Sequence, residues 1–163
     1  MAKARYTHVL LGAFSLAGLT ALSAPAAAQT TDTLTVLATV SGECSVSGAT
    51  LDFGSYTGTQ KDVDVPISFS CTAPSNIAIS IDGGAVGDPS GRLMSNETLT
   101  GQMEYQLFRD AARTQIWGVF PEDHANFTSA TSGTPTVFGR IAGSQTPPPG
   151  NYSDIAQITL TTN

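Results

Sequence analysis

Charge is what this sequence has least of. Only 12% of its 163 residues are Asp, Glu, Lys or Arg, about half the ~25% of an average soluble domain. The 7 Lys and Arg face 13 Asp and Glu. No basic face exists to neutralise phosphates, which argues against nucleic acid as a partner. Histidine and cysteine are nearly missing too. There are two Cys, and beyond the first thirty residues the sole His is His124. That is too little for a zinc site, and a Ser-His-Asp centre would depend wholly on His124. The sequence has no Gly-x-Ser-x-Gly elbow and no phosphate-binding loop. Helical periodicity is absent as well, since nothing after Ala28 keeps a 3.6-residue period beyond two turns. Disorder is disfavoured, because apolar residues recur in regular runs. One domain is the expectation at this length.

What is present begins with an address. Lys3 and Arg5 give a positive start, Val9 to Leu22 an apolar stretch, and Ala26-Ala27-Ala28 a small-residue cleavage site. Residues 1–28 therefore read as a secretory signal. A membrane anchor fits less well, because the apolar run is shorter than the ~20 residues that span a bilayer. Export decides the chemistry of the cysteines. Cys44 and Cys71 are the only pair and would meet an oxidising compartment, so they are expected to form a structural disulfide rather than a redox or metal site. Loop closure of that size is worth roughly 3–4 kcal/mol.

Period-two alternation dominates the rest. Leu34, Val36, Ala38 and Val40 share one face of Thr31–Val40, opposite Thr33, Thr35 and Thr39, with Leu37 the exception. Val63, Val65, Ile67, Phe69 and Cys71 form a second set, and Ile77, Ile79 and Ile81 a third. Met103, Tyr105 and Leu107 follow, then a weaker run from Val137 to Ile141, then Tyr152, Ala156, Ile158 and Leu160. Gly-, Pro- and Ser-rich stretches at 85–91, 128–135 and 143–151 read as connections. Short strands between turn signals predict an all-β antiparallel sandwich.

The ends do not balance. An immunoglobulin-like sandwich needs about seven strands, and the clear ones stop at Leu160. The stretch ahead of Cys44 looks like a strand with no turn to fold it back. A sandwich missing its last strand leaves a groove and two open edges, and a free alternating strand is the complementary part.

The motifs in order carry a resemblance. They are Gly42-Glu43-Cys44-Ser45-Val46, Leu51-Asp52-Phe53-Gly54-Ser55-Tyr56, Ile67-Ser68-Phe69-Ser70-Cys71-Thr72 and Tyr105-Gln106-Leu107-Phe108 with Trp117-Gly118. Phe138-Gly139-Arg140-Ile141, Gly150-Asn151-Tyr152-Ser153-Asp154 and Ile158-Thr159-Leu160-Thr161 complete the set. Together they resemble the spore coat protein U domain family, which includes the Csu-type pilins of archaic chaperone–usher pili. The resemblance implies an incomplete immunoglobulin-like sandwich lacking its last strand, with three parts: a signal peptide (1–28), an N-terminal donor-strand extension (29–41) and a pilin domain (42–163). It implies donor-strand knobs at Leu34, Val36, Ala38 and Val40, and an acceptor groove lined by Val46, Ala156, Ile158 and Leu160. The implied partners are a periplasmic chaperone, an outer-membrane usher and other pilin subunits. The implied product is a surface fibre for attachment and biofilm formation. A self-complete secreted binding or spore-coat module, with Thr31–Val40 as its ordinary first strand, is the alternative.

No catalytic residue, metal site or cofactor is assigned. His124, beside Glu122 and Asp123, reads as a solvated loop residue, and Asp82-Gly83-Gly84 through Asp88-Pro89 as a turn without calcium-ligand spacing. Asn96, Asn126 and Asn151 match the glycosylation pattern but read as turn residues. Trp117, Phe108 and Phe120 are expected in the core.

Overall fold

The structure, a computed structural model, describes residues 32–39, 42–98 and 100–162. The signal segment 1–28 and the knob Val40 lie outside the described residues. The chain divides into two units, Met1–Ala38 and Thr39–Asn163. In the first, residues 32–38 are exposed and carry no regular secondary structure. The strand expected over Thr31–Val40 is therefore not formed in its described part. Alternation gives a strand its faces, but a strand also needs a hydrogen-bonded neighbour.

The second unit is all-β, with one 3-10 turn at Pro121–Asp123. Its strands are β1 (Cys44–Ser47), β2 (Lys61–Pro66), β3 (Ser68–Ile81), β4 (Arg92–Asn96), β5 (Gln102–Phe108), β6 (Ala125–Gly133), β7 (Thr136–Ile141), β8 (Tyr152–Ser153) and β9 (Ile158–Thr162). Every pairing is antiparallel. One sheet runs β2-β7-β5-β4-β8, and the other is built on β3. β6 occupies one edge of β3. β1 and β9 follow each other along the opposite edge, β1 beside Ser68–Cys71 and β9 beside Ile77–Ile81.

The alternating sets are redistributed among these strands. The chain changes sheets at Ile67, whose N–H donates to the Pro135 carbonyl at 2.9 Å. Val63 and Val65 thus pack from one sheet, Phe69 and Cys71 from the other. β3 then continues through Ser75 and Asn76 into Ile77–Ile81, joining two expected strands into one. β4 had no signal of its own, and β6 runs through residues expected as a connection.

The core lies between the sheets. Ile77, Ile79 and Ile81 from β3 meet Met103, Tyr105, Leu107, Val137 and Ile141, with Trp117 fully buried among them. The Trp117 indole N–H donates to the Ile79 carbonyl at 2.8 Å. Phe108 is half-buried, and Phe120, expected inside, is 61% exposed. Gly139 lets the chain cross the inner face of its sheet. A Cβ there would sit 2.7 Å from Leu51 Cδ1 and 3.0 Å from Phe53 Cζ, so residues 51–53 lie directly on β7. The disulfide is formed between directly opposed Cys44 and Cys71, with Cα atoms 4.1 Å apart. The fold is an immunoglobulin-like antiparallel sandwich with one disulfide.

Candidate functional site

The sandwich is open along one side. A groove of about 510 Å³ runs between two lips, residues 49–53 and residues 152–156 with Ile158. Its floor is made by Val65, Ile67, Ile81, Met94, Tyr105, Leu107 and Val137. These are inward-facing side chains of both sheets, and all but the half-buried Val65 are at most 9% exposed.

Beside the groove runs a strand edge with nothing on it. Among the described residues, β9 pairs with β3 alone. Asp82 N–H donates to the Gln157 carbonyl at 3.1 Å, so Gln157 turns its backbone groups towards β3. Alternation then points those of Ala156 and Ile158 outward. The other long edges are protected. β2 carries Lys61, Asp62, Asp64 and Pro66. β6 breaks register with β3 twice, and its Ser129 has φ 49°. β9, Ile158-Thr159-Leu160-Thr161-Thr162, has neither charge nor proline, and its register with β3 is unbroken. Such an edge templates a further strand.

One end of the groove is polar and rigid. The Tyr105 hydroxyl donates to Asp154 Oδ2 at 2.6 Å. Asp154 Oδ1 accepts from the Ala85 and Ile155 N–H groups, each at 2.8 Å. Asp82 Oδ1 accepts from Gln157 N–H at 2.7 Å and Gly84 N–H at 3.0 Å. Two carboxylates thereby tie the lip at 154–157 to the turn after β3. Burial, followed by the hydrogen bond to Asp154, pushes the Tyr105 phenol far above its usual value, so it stays a neutral donor.

Arg92 stands behind this end, fully buried and, among the described residues, without an ion pair. Its Nε donates to Asp82 O at 2.8 Å, and its Nη1 to Pro89 O at 3.0 Å and Gln106 Oε1 at 2.6 Å. Nη2 reaches Ile81 O at 3.0 Å and Trp117 O at 2.6 Å. Burial draws the guanidinium's pKa below its usual value, opposed by Tyr105, Asp82 and Asp154. It clamps β3, the turn after it and the segment around Trp117 together.

Of the four acceptor residues implied by the resemblance, Ala156 and Ile158 line the groove. Val46 and Leu160 are half-buried against the core and outside the groove's lining. On the extension, Leu34, Val36 and Ala38 are exposed, and so is Leu37 at 89%. Sequence reasoning alone gives Leu51, Phe53, Tyr105, Asp154 and Arg92 no place in the site. Tyr105 and Asp154 stand in the quoted motifs, whereas Arg92's only signal is that it is a rare charge. His124 has a structural part: its Nε2 lies 2.9 Å from Val119 O, and its carbonyl accepts from Arg109 Nη1 at 2.8 Å. Asp88 caps its own turn through Ser90 N–H at 2.7 Å. Among the described residues no cluster of His, Cys, Asp or Glu is arranged to hold a metal.

The chain matches the Spore Coat Protein U domain over residues 30–159. It is 31% identical over 164 residues to Protein U of Myxococcus xanthus, a match covering 89% of this chain and 92% of that protein. Among solved structures it is similar to a chaperone–tip adhesion subunit pre-assembly complex from the archaic chaperone–usher Csu pili of Acinetobacter baumannii. That match has a TM-score of 0.58 at 18% identity and covers 75% of this chain. It covers 40% of the solved chain, about two fifths of its length, and the likeness is one of fold.

Proposed function

Because this chain belongs to the spore coat protein U domain family, which is structural and not enzymatic, we propose that it is a secreted subunit of a surface fibre, joined to its neighbours by donor-strand exchange. Residues 29–41 of one copy serve as the extension, and Leu34, Val36, Ala38 and Val40 enter the groove of the next. Ala156 and Ile158 receive them, with Val46 and Leu160 at the margins. A periplasmic chaperone lends the missing strand first, and an outer-membrane usher exchanges it for the extension. Attachment and biofilm formation follow from the fibre.

The observation that carries this reading is the open groove, floored by apolar side chains, beside the edge of β9, which carries no charge and no partner strand among the described residues. Burying a knob of Val or Leu size contributes about 1.5–3 kcal/mol, and the strand's backbone bonds close the edge as well. Dissociation then means stripping a whole strand, which makes the join long-lived without covalent chemistry.

The test removes residues 29–40 while keeping the signal. The truncated chain should still accumulate as a soluble, chaperone-bound subunit and form no polymer in non-boiled denaturing gels. Polymers of undiminished length would refute donor-strand exchange.

A further inference from the structure

The outer face of the groove lip holds an unexplained residue. Alternation along 155–161 turns Ile155, Gln157, Thr159 and Thr161 outward, all exposed, while Ala156, Ile158 and Leu160 turn towards the core. Three of the four outward residues are polar, and Ile155 is 84% exposed. The extension has the same composition on its outer face: Thr33, Thr35, Leu37 and Thr39. Each segment therefore has a single bulky apolar residue on the side that a buried strand would show to water.

We propose that these two residues set the register of the exchanged strand: Leu37 of one copy lies opposite Ile155 of the next, with the extension antiparallel to residues 153–159. This rests on the donor-strand reading above and adds its alignment. Side-chain period two means that a slip of one residue exchanges the faces, so only even slips compete. A slip of two leaves Leu37 opposite Gln157 and Ile155 opposite Thr39, with both apolar residues still in water. In the proposed register Thr35 falls opposite Gln157 and Thr33 opposite Thr159.

The inner face agrees. Val36 comes level with Ala156 and Leu34 with Ile158, where the floor is apolar. Ala38, the smallest knob, comes level with Asp154, where the Tyr105–Asp154 pair already occupies the groove. Asp32 falls level with Leu160, past the last lining residue, Ile158. A parallel alignment would instead set Val36 against Asp154 and leave Ala38 beside Ala156, mismatching both ends. The hydrogen-bond phase fits as well. The even-numbered residues of the lip point their backbone groups outward, so Leu37 and Ile155 occupy a non-hydrogen-bonded pair. There Cα atoms approach to about 4.5 Å and side chains lie closest.

Paired cysteines in fibres from cells expressing the full chain test the alignment. Leu37→Cys with Ile155→Cys, and Thr35→Cys with Gln157→Cys, should convert the polymer ladder from heat-labile to heat-stable in boiled, non-reduced gels. Reductant should reverse the change. Thr39→Cys with Gln157→Cys reports a parallel strand, and Leu37→Cys with Gln157→Cys a slip of two; both should leave the ladder heat-labile. A heat-stable ladder from either of these pairs, with none from Thr35→Cys with Gln157→Cys, overturns the register while leaving exchange standing. So does a ladder that stays heat-labile with all four pairs. If neither the parent chain nor any variant polymerises, the exchange reading falls and the register falls with it.

Discussion

Arg92→Met should be the most damaging single substitution in the sandwich. Methionine approximates the aliphatic stem but removes all five hydrogen bonds, which end on four backbone carbonyls and Gln106 Oε1. Arg92 is fully buried, so water does not replace the lost donors without opening the structure. Each buried acceptor left unsatisfied costs about 1–3 kcal/mol. Relief of the guanidinium's own desolvation offsets part of that sum. A net loss of about 3–5 kcal/mol is expected, a large part of the 5–15 kcal/mol typical of a domain. Arg92→Lys supplies three donors at one point instead of a planar fork, so it should recover only part of the loss. Urea unfolding of parent and both variants, followed by Trp117 fluorescence, measures this directly. The indole is anchored to Ile79 and its neighbour Gly118 lies on the clamped segment, so the probe reports the region at stake. A loss under about 1 kcal/mol for Arg92→Met would refute the argument, because it would mean that the five acceptors find other partners without strain.

Two further expectations follow from the covalent and ionic links. Cys44→Ser opens a loop of sequence separation 27 and should cost about 3.5 kcal/mol by the chain-entropy relation. Reductant should lower the parent's unfolding midpoint to that of the variant and leave the variant unmoved. On the outer face of the five-stranded sheet, Arg140 donates to Asp62 through Nε at 2.8 Å and Nη2 at 2.9 Å. Arg113 lies 3.7 Å from the same carboxylate and pairs with Asp64. The bond to Arg140 holds the Asp62 carboxyl below its usual range. The pair's stabilisation, under about 1 kcal/mol for so exposed a site, is therefore complete above the unfolded carboxyl value near 3.9. It is lost as pH falls through the lower folded value. Asp62→Asn should abolish this acid-limb difference in unfolding curves while changing neutral stability little, and an unchanged acid limb would contradict it.

The parts of the fold legible in the sequence are those where a strand keeps one face on the core over its whole length. Met103, Tyr105 and Leu107 on β5, and Val137 to Ile141 on β7, announce themselves this way. The cysteine pair was equally plain once export was read from the first 28 residues. β6 was hidden because its inward residues Ala125, Phe127 and Ala130 straddle a register shift that breaks the period of two. β4 was hidden because its most deeply buried residue is an arginine, and only the carbonyls gathered around it explain why. The boundary between β2 and β3 is not legible, since the Val63–Cys71 alternation passes through Ile67 without announcing a change of sheet. The groove's Ala156 and Ile158 were legible from the final alternating run. Its other lip was not, because Leu51 and Phe53 belong to no strand and are held by the missing side chain of Gly139.

The disulfide has a mechanical meaning as well as a thermodynamic one. It sits on the first residue of β1, two residues after Gly42, and it fastens that strand to the longest one, four residues into β3. Tension on the N-terminal segment would otherwise peel a four-residue strand away rung by rung. With Cys44 bonded to Cys71 the load bypasses β1 and enters β3, which resists in shear along its ladders with β6 and β9.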